Sequence, residues 1–297
     1  MRERRGLRSL RRRLVPYALL GPGTIWLVLF FVVPMYFMGE MALRSGALEA
    51  GGFTFTWEWA NFPDSLEGRR EQIVRTFLYS ATATMLALLI AYPLAYAIAI
   101  KVSRRWRLLL LFAVIAPFFT TYLVRTIAWK TILADASPIV DVLKLLGIVP
   151  DDGRVLVTGG AVIAGLTYNF LPFMILPIYA SLERIDLSLI EAGKDLYAST
   201  RQAFLRVTLP LTMPGIVAGG LLTFIPAFGD YVNATVLGGS QQAMIGNKIQ
   251  SLYLFERNYP EAAALSFLMM AAVLVLVLVY IRAAGTEAFM GAEDEGR

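Results

Sequence analysis

The sequence predicts an all-α membrane protein with six transmembrane helices, and this prediction rests on its composition and its hydrophobic pattern. Of the 297 residues, 57% are hydrophobic and 16% are charged, whereas soluble domains have about 45 to 50% and about 25%. The hydrophobic residues lie in blocks, each long enough to supply the roughly 20 helical residues that cross a hydrocarbon layer of about 30 Å. These runs do not alternate with polar residues as the strands of a transmembrane β-barrel do.

Six hydrophobic segments are the candidates for these helices. They are residues 17–38, 77–100, 108–132, 157–180, 212–237 and 262–282. The first follows seven arginines, as in a signal peptide, but its apolar stretch is too long and has no clear small-residue cleavage site. We therefore expect this segment to be retained as a helix.

The charges between the segments predict the orientation. The loop after the second segment is basic and lacks acidic residues, whereas the loop after the third is dominated by acidic ones: Lys101, Arg104, Arg105 and Arg107 against Asp135, Asp141, Asp151 and Asp152. Basic loops stay in the cytoplasm, which predicts cytoplasmic N- and C-termini. The same rule predicts that residues 181–211, which carry four basic side chains, also face the cytoplasm.

One membrane domain is therefore expected, in a cell (inner or plasma) membrane protein of the multi-pass type. Residues 1–16 form a basic cytoplasmic N-terminus, residues 17–282 the transmembrane domain with a cytoplasmic loop at 183–211, and residues 283–297 a cytoplasmic tail. The longest outer loop, residues 39–76, carries five aromatic residues between Phe53 and Phe62. These rings are expected either to anchor the loop at the lipid headgroups or to dock a partner.

Several functions are disfavoured by what the chain lacks. It has no cysteine and no histidine, which removes Cys-His and Ser-His nucleophiles and most zinc sites. It also has no Gly-x-x-x-x-Gly-Lys-[Ser/Thr] loop for a nucleotide. The net charge of +5 comes from the membrane flanks, so no nucleic-acid partner is expected. We expect no catalytic residue and no metal site, and therefore no enzyme.

The loop between the fourth and fifth segments predicts two short helices. Ser188 with Glu191, and Ser199 with Gln202, have the spacing of capping boxes. The helices would separate near Tyr197 and Ala198, and Pro210 would close the second. One face of the first helix is apolar, with Leu189, Ala192, Gly193 and Leu196. That face needs to pack against the membrane domain or another protein.

Glu191-Ala192-Gly193, followed at the matching distance by Val207-Thr-Leu209-Pro210, resembles the "EAA" loop of permeases in binding-protein-dependent ABC importers. The resemblance implies that this loop sits in a groove of a separate ATPase, which carries the ATP and Mg cofactors that this chain itself lacks. The implied coupling residues are Glu191, Ala192, Gly193, Asp195, Leu196, Tyr197, Leu209 and Pro210. Gly193 replaces the usual alanine, and Tyr197 replaces a glycine, which is costly in a left-handed turn. An ordinary amphipathic loop lying on the membrane is the alternative.

Residues 123–129 (LVRTIAW), 169–172 (NFLP), 229–232 (GDYV) and 244–246 (MIG) look like the polyamine-type permeases. This resemblance implies a type I ABC importer permease fold and an import path for spermidine and putrescine. It also implies four partners, namely an ABC ATPase dimer, a homologous second permease subunit, an extracytoplasmic substrate-binding protein and the lipid bilayer. Opines and amino-acid-like compounds are alternative substrates. An ion-coupled secondary transporter or channel is the alternative from another class.

Asp230 is the main candidate in the substrate path, because a carboxylate within an apolar segment is costly unless it faces a partner or a wet cavity. It could hold an ammonium group, or it could cap a broken helix. Further path candidates are Tyr231, Asn233, Tyr122, Tyr168 and Asn169. We expect Arg125 to be structural, pairing across an interface or with backbone carbonyls, and Lys130 to extend toward the outer surface. Pro226 is either a hinge or a static kink.

Overall fold

The computed structural model describes residues 19–197 and 199–284, so the predicted basic N-terminus and most of the tail lie outside the described residues. The described chain is helical apart from one small β-hairpin. In order, the helices are α1 (Leu19–Ala42), α2 (Asn61–Leu66), α3 (Arg70–Lys101), α4 (Arg104–Phe119), α5 (Tyr122–Ile132), α6 (Pro138–Leu145), α7 (Gly159–Glu183), α8 (Leu187–Tyr197), α9 (Thr200–Leu211), α10 (Met213–Phe228), α11 (Val232–Leu237), α12 (Ile245–Leu254) and α13 (Tyr259–Ala284).

Within the described residues, four of these helices, α1, α3, α7 and α13, are long and apolar enough to cross a membrane by themselves. Two bent pairs, α4 with α5 at an angle of 96° and α9 with α10 at 63°, are apolar enough only when taken together, and each is either a broken span or a re-entrant loop. The described residues therefore contain four membrane-spanning helices, and six, as predicted, if each bent pair is one span. The third and the fifth predicted segments are not continuous helices.

The third span breaks at Thr120 and Thr121, which have extended backbone conformations with ψ of 142° and 146°. A 3₁₀ turn that begins at Ala116 and contains Pro117 precedes them. The fifth helix ends at Phe228 instead of residue 237, and residues 232–237 form the separate helix α11. The apolar sequence alone hides both breaks, because a hydrophobic run has the same appearance whether its helix continues or stops.

Helices α3, α7 and α10 form the core of the larger structural unit, residues 68–250 and 270–297. Alanines at every fourth position of α3 are fully buried in this core: Ala83, Ala87, Ala91 and Ala95. On α10, a Cβ atom at Gly215 would lie 2.6 Å from the Pro177 carbonyl of α7. Small residues therefore allow close helix approach.

Among the described residues, a second unit comprises residues 19–67 and 251–269. Ala42 of α1 is buried there in a cluster with Ala263 and Ala264 of α13. After α1 the chain forms an antiparallel hairpin of β1 (Arg44–Ala47) and β2 (Gly52–Phe55), and Asn61 Nδ2 donates to the carbonyls of Ala42 and Arg44 at 2.9 Å. One short hairpin is therefore an exception to the all-α prediction. Its strands have four residues each, which is too few for an alternation of apolar and polar residues to be recognised in the sequence.

The aromatic residues of this outer loop stack in a row. The ring centroids of Phe55, Trp57, Trp59 and Phe62 follow one another at 5.0, 6.3 and 5.9 Å. Trp57 and Trp59 are exposed, and Trp57 has a φ of 56°, which is rare outside glycine. Anchoring at the headgroups and docking of a partner both stay predictions.

The two loops that are predicted to be cytoplasmic lie at the same end of the larger unit. Arg107, next to the basic loop, approaches Glu183 at the end of α7 to 3.7 Å, and its Nη2 donates to the Ala99 carbonyl at 2.6 Å. Tyr179 also donates to Glu183, at 2.8 Å. The charge pattern and the packing therefore agree on which loops share a side, while the cytoplasmic placement of the termini stays a prediction.

Candidate functional site

The loop that is predicted to be cytoplasmic folds into two short helices, α8 and α9, as expected. The first begins two residues earlier than expected, at Leu187 instead of Leu189, and the Asp186 Oδ1 atom accepts a hydrogen bond from the Ser188 backbone N–H at 2.9 Å. This bond holds the pKa of Asp186 below its ordinary value. The capping box predicted at Ser188 and Glu191 is therefore wrong, because Ser188 already lies inside the helix. The cap at Ser199 is confirmed, since its Oγ accepts from Gln202 N at 3.2 Å.

The second helix does not end at Pro210. It continues through a π-helical turn, Phe204–Thr208, to Leu211 and then bends at Thr212 into α10. Pro210 lies at the start of a new helical turn, where a missing N–H is tolerated. Thr212 is buried, its Oγ1 donates to the carbonyls of Thr208 and Leu209, and it lies 2.9 Å from the Tyr92 hydroxyl. The loop is therefore joined directly to the fifth span.

Part of the predicted apolar face of α8 packs against α9, and part of it is exposed. Gly193 is buried, and a Cβ atom there would lie 2.9 Å from the Cγ2 atom of Val207 on α9. Leu189 and Leu196 point away from this contact and are 50% and 79% exposed. The glycine in place of alanine is thus explained by the valine opposite it, and two leucines are left on the surface.

The remaining coupling candidates differ in exposure. Glu191, Ala192 and Pro210 are exposed, whereas Leu209 packs against the main hydrophobic core. The side chains of Asp195 and Tyr197 lie outside the described residues, so the predicted roles of these two stay predictions.

A buried polar cluster forms where the two broken spans meet. The Asp230 Oδ1 atom accepts from Asn233 N at 2.8 Å, and Oδ2 accepts from the Tyr122 hydroxyl. The Asn233 side chain donates to the same hydroxyl. Asp230, in the gap between α10 and α11, is thereby bonded to the start of α5 and to the start of α11. The capping geometry that we considered for Asp230 is present, and contact with substrate stays a prediction.

Helix α7 completes the polar cluster through Asn169. Its Nδ2 atom lies 3.2 Å from Thr126 Oγ1 and 3.2 Å from Asn233 Oδ1, and all three residues are almost fully buried. A Cβ atom at Gly165, one helical turn earlier, would lie 2.6 Å from the Asn233 Oδ1 atom. Side-chain amide and hydroxyl bonds of this kind hold helices together in lipid.

Four of the six predicted path residues therefore come together, namely Tyr122, Asn169, Asp230 and Asn233. The other two lie elsewhere. Tyr168 packs against the Trp129 ring at 5.3 Å, and the Tyr231 side chain is largely exposed while its carbonyl accepts from Asn247. Thr126 and Gly165 were missed, although the spacing of four residues between Tyr122 and Thr126, and between Gly165 and Asn169, is the signal that could have found them.

Arg125 lies beside the polar cluster on α5 and is 9% exposed. Its guanidinium carbon is 4.4 Å from the Phe118 ring centroid and 5.8 Å from that of Tyr122. The Nε and Nη1 atoms are buried and have no hydrogen-bond partner among the described residues, so the predicted pairing with backbone carbonyls is not found for these two atoms.

The polar cluster is suited to binding a cation. It offers the Asp230 carboxylate, an aromatic face, and the Asn169 Oδ1 atom, a buried acceptor with no partner among the described residues. By contrast, a cavity of about 430 Å³ between α3, α7, α10 and α13 is lined by apolar side chains with only Thr84 and Tyr280 as polar members. That cavity has no group to neutralise a charged solute.

Known proteins with similar sequences are transport permeases. The chain is 39% identical over 260 residues to the spermidine/putrescine transport system permease protein PotB of Haemophilus influenzae, covering 87% of this chain and 90% of that protein. The Escherichia coli PotB is 36% identical, with 87% and 94% covered. The E. coli inner membrane ABC transporter permease protein YdcU is 34% identical over 224 residues, covering 72% of this chain and 71% of YdcU.

A solved structure has the same fold. A bacterial ABC transporter chain involved in the import of the acidic polysaccharide alginate superposes with a TM-score of 0.70 at 21% identity, covering 94% of this chain and 98% of that one. The family model described as binding-protein-dependent transport system inner membrane component matches residues 8–285. This match and the identity to the PotB permeases establish that the chain belongs to the family of inner membrane components of binding-protein-dependent transport systems.

Proposed function

We propose that this chain is the translocation subunit of an ATP-driven importer of polyamines, with spermidine and putrescine as its substrates. The observation that carries the substrate class is the 39% identity to a spermidine/putrescine permease over 87% of the chain. The buried carboxylate of Asp230 supports it, because a polyamine carries ammonium groups and an intramembrane carboxylate is costly without a partner. We place the protein in the cytoplasmic (inner) membrane as a multi-pass subunit.

The proposed complex contains an ATPase dimer, a homologous second permease subunit, which is either a different chain or an identical one, and an extracytoplasmic binding protein. A structural relative of this chain is known from an alginate transporter in complex with an alginate-bound periplasmic protein. The ATPase would bind the exposed side of α8, where Glu191, Leu189 and Leu196 are available. ATP and Mg would be bound by the ATPase, and this chain would do no chemistry on them.

Coupling would then be mechanical. Closure of the ATPase dimer would displace the helices α8 and α9, and α9 would pass the displacement to α10 through the bend at Thr212. The polar cluster lies at the far end of α10, where Asp230 connects it to α5. Rigid-body movement of this kind can switch a central cavity from one side of the membrane to the other.

The test is ATP hydrolysis by the complex reconstituted with its binding protein. Spermidine and putrescine are compared with an uncharged solute of similar length, in the wild type, in Asp230→Asn and in Asp152→Asn, an exposed acidic control. Stimulation by polyamine alone, weakened by Asp230→Asn and unchanged by Asp152→Asn, would support the proposal. If only a different solute stimulates hydrolysis, the assignment of polyamines as substrates is wrong, while the assignment as an importer subunit stands. Uptake driven by an ion gradient without an ATPase would favour a secondary transporter instead.

A further inference from the structure

The guanidinium group of Arg125 is in an unusual position for a charge in a membrane helix. It is buried, it lies against two aromatic faces, and its Nε and Nη1 atoms have no hydrogen-bond partner in the described part of the chain. Buried polar groups nearly always have partners, and exceptions require an explanation. For these two nitrogen atoms, the contacts that the described residues provide are the rings of Phe118 and Tyr122.

Those two rings belong to a larger aromatic cluster, which we define as Phe118, Tyr122, Phe170 and Phe173. The ring of Phe118 meets that of Phe173 edge to face at 5.3 Å, Phe173 lies 6.3 Å from Phe170, and Phe170 lies 6.0 Å from Tyr122. The four rings form a continuous row, and both of its ends face the guanidinium. Aromatic cages of this type bind organic cations through the negative faces of their rings.

The aromatic cluster is joined to the anionic group of the site. The Tyr122 hydroxyl donates to the Asp230 carboxylate, while the Tyr122 ring carries the Arg125 cation. The unpartnered Asn169 Oδ1 atom belongs to the same polar cluster and could accept a hydrogen bond from a cation. Aromatic faces, a carboxylate and a free acceptor are the three kinds of group that an alkylammonium ion needs.

We propose that the aromatic cluster and Asp230 form a cation-binding site, and that Arg125 is its tethered occupant in this conformation. An ammonium group entering the site replaces the guanidinium, since two like charges in one buried site repel each other. The identity of the entering cation as a polyamine rests on the proposed function. The existence of the cation site does not.

Displacement of Arg125 has a mechanical consequence. The residue lies on α5, directly after the extended residues Thr120 and Thr121 that separate α5 from α4. When the guanidinium leaves the Phe118 ring, a contact between the two arms of the broken span is lost. Arrival of the cation is thereby linked to the angle between α4 and α5.

The site can be tested with small probes in place of a transport substrate. Arg125→Ala removes the tethered cation and leaves space for methylguanidinium or butylammonium, and N-methylurea serves as the uncharged analogue. Thermal unfolding of the full-length chain in detergent is measured with each probe. We expect both cations to raise the Tm of Arg125→Ala by ~2–4 °C near saturation, and N-methylurea to have no effect.

Three controls make the result specific. The wild type, in which the guanidinium competes for the site, should show a smaller rise at the same cation concentration, and Arg154→Ala, which removes an exposed arginine, should behave as the wild type does. Adding Phe118→Leu to Arg125→Ala should abolish the rise. If Arg125→Ala does not fold, Arg125→Gln is titrated with the same probes.

An equal effect of N-methylurea, or no rise with either cation in both arginine variants, would overturn the inference. Polyamine import plays no part in this measurement. A negative result here therefore leaves the proposed substrate untouched, and failure of polyamine to stimulate ATP hydrolysis leaves the cation site untouched.

Discussion

Gly193 and Val207 face each other across the helices α8 and α9 so closely that a Cβ atom at position 193 would lie 2.9 Å from the valine Cγ2 atom. The two residues are therefore a matched pair, and the family's usual alanine at this position would require a smaller neighbour. The separation of α8 and α9, and with it the surface offered to the proposed ATPase, depends on this contact.

The Gly193→Ala substitution is expected to push the two helices apart, since overpacking typically costs about 1–3 kcal/mol. Solute-stimulated ATP hydrolysis of the complex should fall, and Val207→Ala in the same chain should restore it. Val207→Ala alone is the control and should be nearly neutral in ATP hydrolysis. If the double substitution is as impaired as Gly193→Ala, the contact is not the cause.

Asp230→Asn and Asp230→Ala separate the two roles of this carboxylate. The asparagine oxygen can still accept from Asn233 N, so Asp230→Asn should keep the thermal stability and lose polyamine uptake. Asp230→Ala loses the cap as well, which costs about 0.5–2 kcal/mol, and should lower the Tm in detergent. Full uptake by a stable Asp230→Asn variant would leave the carboxylate with a structural role only.

Gly165→Ala should disrupt the polar cluster from the α7 side. Its new methyl group would lie 2.6 Å from Asn233 Oδ1, which displaces the asparagine from Asn169 at a cost of about 1–3 kcal/mol. Gly160→Ala on the same helix is the matched control, because its Cβ atom meets nothing closer than 3.6 Å. Chemical or thermal unfolding of the two variants side by side measures the difference, and equal stabilities would contradict the prediction.

Glu191→Arg should uncouple transport from ATP hydrolysis. The side chain is exposed on α8, so reversing its charge should leave the membrane domain intact while weakening the bond to an ATPase groove. Co-purification of the ATPase and uptake into proteoliposomes are the measurements, with Glu67→Arg, another exposed acidic position, as the control. Full coupled uptake by Glu191→Arg would argue against the proposed contact.

The number and approximate position of the membrane spans could be predicted. A run of about 20 consecutive apolar residues in lipid satisfies its backbone hydrogen bonds by forming a helix. The two helices of the cytoplasmic loop could also be predicted from Ser199 and the apolar spacing around Gly193. The cap at Asp186 could not, since Ser188 and Glu191 have the same spacing as a true capping box. The local sequence therefore does not show whether the helix begins after Asp186 or after Ser188.

The polar cluster was only partly predictable. Each of its polar residues stands out in an apolar segment, yet nothing in the sequence specifies which residue of one helix meets which residue of another. The breaks at Thr120 and Gly229 decide this, because they turn Tyr122 and Asp230 toward each other. The hydrogen bond between Tyr122 and Asp230 joins residues that are far apart in the sequence, and no local pattern reveals such a contact, whereas the cap that Asp230 forms on Asn233 N is local.

The break in the third span also constrains how the protein can be made. Helix α5 has 11 residues and is about 16 Å long, roughly half of the hydrocarbon layer, so it cannot be inserted stably as an independent segment. Its buried Thr126 and the ring of Tyr122 meet their partners only after α7 has been synthesised, because Asn169 and Phe170 belong to that later helix. Biogenesis must therefore hold the third span in a protected environment until the fourth emerges, and a nascent chain stalled before residue 159 would expose α5 to membrane quality control.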